Sequence, residues 1–477
     1  MEESTAAAAQ MFAVQAMARA AALGGELSAG ATSTGRTLGE REQQTLARIK
    51  GLGQQLLAGV CAIVAAGEPA REQPCGCGAT ARYVRHRAAR VLTVLGAGSI
   101  VRADYHCPQC RRGAAPLDRQ RGYCAGSTSA GLEEVLALLG ATADSFAEAV
   151  ALLDKLTLVR GCPNLARAAT ERLGQAGQAA EQQAVAAAWG PGTLPTPVAA
   201  PPRRYGSLDG VLVQTDAGWR EDKLGTVYTT VSRPARHHPG RDEVQAQDCS
   251  FVGEVTAAAN FGHLLWCAAA RRGVLTATAV LVVAEGAHWS GNLAAEHFPG
   301  ATEIVDWDHA SQYIWAVAHA SYGAGAPLAR RWAKRRLAAL WEGPVDQVLT
   351  AFAAHQQRGQ VVAEAATYFT NHRQRMRYAA YRARGLQIGS GTIERGCKQV
   401  STARLKLAGM RWSLPGARAV AAVRTRLTRD RWPEVMALRP PRHRAYHRQA
   451  AYPCQLLRAP RRARGGAVQF IVFVVRT

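Results

Sequence analysis

AVLVVAEGAHWSGNLAAEHFPGATEIVDWDHASQYIW, residues 279–315, sets two short apolar runs directly against acids: Glu285 follows AVLVVA, and Asp306 follows ATEIV with His309 three residues on. Apolar runs of this length, rich in β-branched residues and bounded by turn signals, read as buried strands of an α/β layer. The helix-like NLAAEHF and a Pro-Gly turn separate them, so the two strands run parallel and deliver their acids to one rim of a sheet. The crevice beyond parallel strand ends is where such sheets bind ligands. Acids held there on rigid strands suit metal ions; either acid taken singly is equally well a helix N-cap.

Upstream, YGSLDGVLVQT (205–215) reads as a strand with Asp209 near its centre, and GWREDKLGTVYTTV as a second. The region around CSFVGEVTAAANFGHLLWCAAA adds a strand and a helix. The resulting order, three strands, helix, strand, helix, strand, is that of a ribonuclease H-like sheet, with Asp209 on the central strand beside the one ending at Glu285. Past His309 the periodicity is helical for about seventy residues, an insertion at about 310–385. LQIGSGTIERGCKQVSTARLKLAGMRWS then opens a helix at a Gly-Ser-Gly turn. Glu394 stands in its first turns, followed by Lys398, Arg404, Lys406 and Arg411. An acid there is often only a partner of the helix dipole. With Asp209 and the strand-end acids it becomes the fourth member of a carboxylate cluster.

The chain carries 58 Lys and Arg against 35 acids, a net charge of +23, which points to a polyanionic partner such as nucleic acid. From Arg395 onward there are 19 basic residues and 2 acidic ones, so the basic surface is local. No stretch reaches the roughly 18 apolar residues of a membrane span, and the acidic, Ala-rich start does not resemble a secretory signal. The expected location is the cytoplasm, at the nucleoid. Eleven cysteines, four of them in two close pairs, suit a metal site better than a secreted disulfide scaffold.

In PCGCGATARYVRHRAARVLTVLGAGSIVRADYHCPQC, Cys75 and Cys77 form one knuckle and Cys107 and Cys110 another, flanking a hairpin broken at GAG. This is the layout of a zinc ribbon, four thiolates suiting a closed, structural Zn²⁺ site. His106 or Cys124 can stand in for one ligand, and four free buried thiols is the plainer alternative. The expected organisation is an Ala-rich helical region (1–68, interrupted by the loop GELSAGATSTG), the ribbon (69–126), and helices at 127–183 that form either a helix-turn-helix DNA-binding unit or a packing bundle. A linker (184–204), the catalytic core (205–432) and a basic irregular tail (433–477), read from about Leu438 as a frameshifted or read-through extension, follow.

These stretches resemble the DDE transposases of bacterial insertion sequences, closest to the ISKra family within the wider Mutator-like group. The resemblance rests on CPQC with the following PLD, YGSLDGV with WREDK, GAHW and HFPGA, DWDHASQYIW, and GLQIGSGTIERGCKQV with GMRW, spanning about residues 70–432. It implies a ribonuclease H-like core and Mg²⁺- or Mn²⁺-dependent cutting and joining of double-stranded DNA at terminal inverted repeats, by a homo-oligomer. Asp209, Glu285 and Glu394 would hold the metal. Asp306 would be a further ligand or a shaping residue, His309 would contact the scissile phosphate or orient Asp306, and the cations from Lys398 to Arg411 would grip phosphates. The sequence departs from the family at Glu285, where Asp is usual, at Ser290 and Gly291 after Trp289, at Asp308 and at Arg395. Two other readings remain: a catalytically inactive remnant acting as a zinc-ribbon DNA-binding protein or repressor, and a metal-dependent ribonuclease on the same core.

Overall fold

Both strands expected around Glu285 and Asp306 form, as Ala279–Ala284 (β9) and Thr302–Val305 (β10), and they pair in parallel. The computed structural model describes residues 2–31, 35–65, 70–115, 127–195, 201–234, 242–428 and 431–439. The expected tail beyond Arg439, the PLD stretch at 116–118 and Cys124 lie outside them.

β9 pairs in parallel with Arg203–Thr215 (β6), which pairs antiparallel with Gly218–Pro234 (β7), itself antiparallel to Asp242–Glu254 (β8). The sheet order is therefore β10-β9-β6-β7-β8, with β6 at the centre. Side chains alternate across it. Leu208, Val227, Val252 and Val282 pack under the helix Ala258–Arg271 and Leu293, while Tyr205, Val213, Leu224, Leu281 and Val283 join the larger core on the other face. That second core takes in Ile314 and Val317 of the helix Trp307–Tyr322 and Ile393, Val400 and Val420 from the C-terminal stretch. The helical segments between β10 and the Gly-Ser-Gly turn extend from Trp307 to Ala383.

The hairpin Thr80–Thr93 (β2) and Gly96–His106 (β3) lies in a separate sheet. Its turn is at Val94 and Leu95, closed by the Thr93 hydroxyl on the Gly96 carbonyl, so GAG begins the second strand instead of breaking the hairpin. Helices Glu2–Ala31 and Leu38–Ala65 precede it, and Leu57 and Cys61 pack on Val91 and Ile100. The first helix continues through most of GELSAGATSTG to Ala31, Ala and Leu outweighing the local glycines.

Helices Ala130–Thr142 and Phe146–Thr157 are N-capped by the Ser129 and Ser145 hydroxyls. The next helix, Pro163–Trp189, overruns the expected linker start by six residues. It is sheltered by Leu414–Leu427, whose Ala419 carbonyl comes so near Gly174 that a Cβ there would stand 2.1 Å from it. Val423 and Val435 close the core formed by Leu132, Leu136, Leu153 and Leu173. Residues 127–189 therefore do not stand apart from the C-terminal segment, and residues 433–437, expected in the tail, belong to the packed helix Trp432–Ala437. Among the described residues, no helix is long and apolar enough to cross a membrane.

Candidate active site

Parallel register sets Leu208 of β6 beside Ala284 of β9, so Glu285, one step further, arrives next to Asp209. Gly286 follows with φ 94°, a left-handed turn open to glycine, and a Cβ there would meet the His372 ring at 2.9 Å. The Tyr368 hydroxyl fixes the same corner by donating to the Glu285 carbonyl at 2.6 Å. Tyr368 itself stacks on Tyr313 with ring centroids 4.1 Å apart.

Asp306 ends β10 and is 1 % exposed. One carboxylate oxygen accepts the His309 N–H at 2.7 Å, capping the helix Trp307–Tyr322, and the other accepts the Ser390 N–H at 2.6 Å. Asp306 thus ties the Gly-Ser-Gly turn to the strand end, and through that turn it positions Glu394. His309 turns its Nδ1 toward Glu285, 3.7 Å from Oε2. Glu394 lies 3.5 Å from the Ser390 hydroxyl and 3.7 Å from the Lys398 ammonium.

The five residues expected at the site meet at one rim, and the electrostatics register it. Burial, then the charges of Asp209, Asp306 and Glu394, push the Glu285 carboxyl up to about 7. Burial, Asp306 and Glu394 likewise raise Asp308, a further acid of the same rim. The carboxylates do not close into a compact ligand set. Among the described residues, the only group of three or more His, Cys, Asp or Glu whose ligand atoms all lie within 4.8 Å of one another is Cys75, Cys77, Cys107 and Cys110.

That cysteine set is built by two turns. The Cys75 N–H donates to the Ala79 carbonyl and the Cys107 N–H to the Arg112 carbonyl, folding each pair into a knuckle at the open end of the hairpin. Cys75 and Cys110 sulfurs are 3.6 Å apart, and those of Cys77 and Cys107 3.7 Å. A tetrahedral ion with Zn–S bonds of about 2.3 Å spaces its sulfurs by about 3.8 Å, so the cluster fits zinc. Backbone N–H groups of the Cys110 turn hold the Cys107 thiol down at about 7, while, against the Arg112 N–H, burial and the neighbouring sulfurs push the Cys110 thiol up to about 12, so without a cation the four do not all ionise together. His106 is outside the cluster.

The expected phosphate contacts divide. Lys398 and Lys406 are exposed, and Arg411 is exposed with a bond to the Asp216 carbonyl at 3.3 Å. Arg404 is a correction: it is 1 % exposed and cannot meet DNA. Its guanidinium donates to the Gly140 and Asp144 carbonyls, each at 3.1 Å, and lies between the rings of Phe146 and Trp412. Arg424 does the same work beside it, donating to Ala141, Gln399 and to Val400 at 2.6 Å. Two buried cations thus cap the C-terminus of the helix Ala130–Thr142.

Sequence reasoning passed over Asp222, fully buried, which accepts the Ser401 hydroxyl at 2.7 Å and is pushed by burial up to about 7. The signal was present in WREDK: Asp222 falls in phase with the core residue Leu224. Ser401 lies in a π-helical turn, Cys397–Thr402, immediately after Glu394. The Cys397 thiol of that turn sits against Asp209, and burial with that carboxylate raises it.

No family model matches the chain, and no curated protein is significantly similar to it.

Proposed function

We propose that this chain is a DDE-type transposase, a metal-dependent enzyme that binds the terminal inverted repeats of an insertion sequence and cleaves and joins DNA strands. The observation carrying this reading is the meeting of Asp209, Glu285 and Glu394, brought from a central strand, the neighbouring parallel strand and the Gly-Ser-Gly turn. A sheet of three antiparallel strands extended by two parallel ones, in the order β10-β9-β6-β7-β8, supports a ribonuclease H-like core, and the helices from Trp307 to Ala383 support a helical insertion in it.

The donor chemistry fits a hard divalent cation: carboxylate oxygens suit Mg²⁺ or Mn²⁺, and the mutual repulsion that raises Glu285 is what a cation would relieve. When bound, a pair of such ions activates an attacking hydroxyl and stabilises the leaving oxygen. Asp209, Glu285 and Glu394 supply the oxygens, Asp306 holds the turn that carries Glu394, and His309 orients Glu285 or meets the scissile phosphate. Lys398, Lys406 and Arg411 bind backbone phosphates. Cys75, Cys77, Cys107 and Cys110 hold a structural Zn²⁺ that rigidifies the hairpin beside the DNA. The partner is double-stranded DNA, repeat and target, bound by a homo-oligomer at the nucleoid.

The test is strand cleavage of a labelled duplex carrying the repeat that flanks the gene, in Mg²⁺ or Mn²⁺, by this protein and by Glu394→Ala. Cleavage lost in the variant supports the reading; specific binding without cleavage by either protein supports the inactive DNA-binding remnant. That second reading draws on the open spacing of the carboxylates and on Glu285 where the resembled family has Asp.

A further inference from the structure

The helix Pro327–Glu342 reads PLARRWAKRRLAALWE, with five cations against one acid at its last position. Ala329, Ala333 and Leu340 are buried, and the opposite face carries Arg330, Arg331, Lys334 and Arg335, all exposed. Residues four apart stack on a helix surface, so these cations form two adjacent like-charged rows, 330 with 334 and 331 with 335. Such rows destabilise an isolated helix by a few tenths of a kcal/mol each. None of the four takes part in any ion pair found among the described residues. Arg336, on the flank, is engaged over the Trp332 ring instead.

We infer that this face is a second nucleic-acid contact, binding the phosphates of a duplex through Arg330, Arg331, Lys334 and Arg335. Four cations within two turns, unrelieved by acids, match the density of a phosphate backbone, and Leu328 is the one large apolar side chain exposed on this helix. The helix also has the right place. Trp341, near its end, packs on Trp307 beside Asp306, with ring centroids 4.8 Å apart. At about 1.5 Å per residue, Lys334 is then roughly 10 Å along the axis from the site end. A duplex with its reacting phosphate at the carboxylates would reach the stripe within a few base pairs. Only this placement rests on the proposed transposase reading; the charge argument does not.

The full chain and the variant Arg330→Gln/Arg331→Gln/Lys334→Gln/Arg335→Gln are compared by anisotropy with a labelled random-sequence duplex and with poly-glutamate, from 50 to 200 mM KCl. Each phosphate contact adds about 0.9 to the slope of log affinity against log salt, so losing four makes the fall in affinity across that range about a hundredfold smaller. An unchanged duplex slope overturns the inference, and doubly so if poly-glutamate binding is what disappears. The variant should unfold at the same temperature or slightly higher, which separates lost contacts from lost fold. A shallower slope in a protein that cleaves nothing would overturn the catalytic reading and sustain this one; normal cleavage with an unchanged slope would do the reverse.

Discussion

Asp306→Asn tests whether the acid at the end of β10 braces the site or binds metal. Both carboxylate oxygens accept backbone N–H groups, from His309 at 2.7 Å and Ser390 at 2.6 Å, in a position 1 % exposed. Asparagine keeps one oxygen, so one N–H keeps its acceptor while the other faces an amide NH₂. The loss is one hydrogen bond to a charged acceptor, roughly 1.5–3 kcal/mol, and one buried donor left unpaired, roughly 1–3 kcal/mol. Together the variant should lose about 2.5–6 kcal/mol. Urea unfolding in EDTA, followed by tryptophan fluorescence, reads this loss, since Trp307 is the next residue and donates its N–H to the Ile388 carbonyl of the same turn. Glu394→Ala is the control: its contacts are longer and its side chain is 37 % exposed, so its stability should change little. Unchanged stability of Asp306→Asn in EDTA, with only the gain on adding Mg²⁺ abolished, would make Asp306 a metal ligand and refute the brace.

Glu285→Asp shortens the side chain by one methylene and should raise Mg²⁺-dependent cleavage toward that of the resembled family; equal or lower activity rejects the longer arm as a defect, misplacements near 1 Å costing about a hundredfold. Cys107→Ser should take the zinc content, read by elemental analysis, from one ion per chain to none. Arg404→Ala strands the Gly140 and Asp144 carbonyls and should destabilise the protein by about 2–4 kcal/mol while leaving the salt slope of DNA binding where it was. Glu285 and Asp222 both have folded values near 7, above the usual carboxylate range, so the folded state holds protons there that the unfolded chain releases. Metal-free stability should therefore fall more steeply from about pH 5 through 7 in the wild type than in Asp222→Asn, a comparison in which the opposite contribution of His297 and His372, both lowered by burial, cancels; equal pH dependence in the two proteins refutes the Asp222 assignment.

The central strands were readable because their signal is local. AVLVVA and TEIV are short β-branched runs stopped by acids, and the alternation in SLDGVLVQT declares its phase. The cysteine knuckles were readable for the same reason, spacing alone placing four sulfurs at one end of a hairpin. Arg404 was not. RLKLAGMR looks like a basic surface, and what buries its first cation is the end of a helix 264 positions earlier. Asp306 was legible as an N-cap or as a ligand, and its second backbone donor, the Ser390 N–H, lies 84 positions downstream, out of reach of any local pattern. The helix Pro163–Trp189 shows its amphipathic face in sequence, yet that pattern does not say that the covering partner is Leu414–Leu427.

The pairing of that early helix with a late one bears on how the chain comes off the ribosome. Leu132, Leu136, Leu153 and Leu173 emerge first, but the residues that complete their core, Val423 and Val435, are made some 250 residues later. At about 5–20 residues per second, the gap lasts tens of seconds. Through that interval the nascent chain displays an open apolar face and uncapped carbonyls at Gly140 and Ala141, awaiting Arg404 and Arg424. Truncation before residue 414 should therefore leave an insoluble product even though Asp209, Glu285, Asp306 and Glu394 are all present.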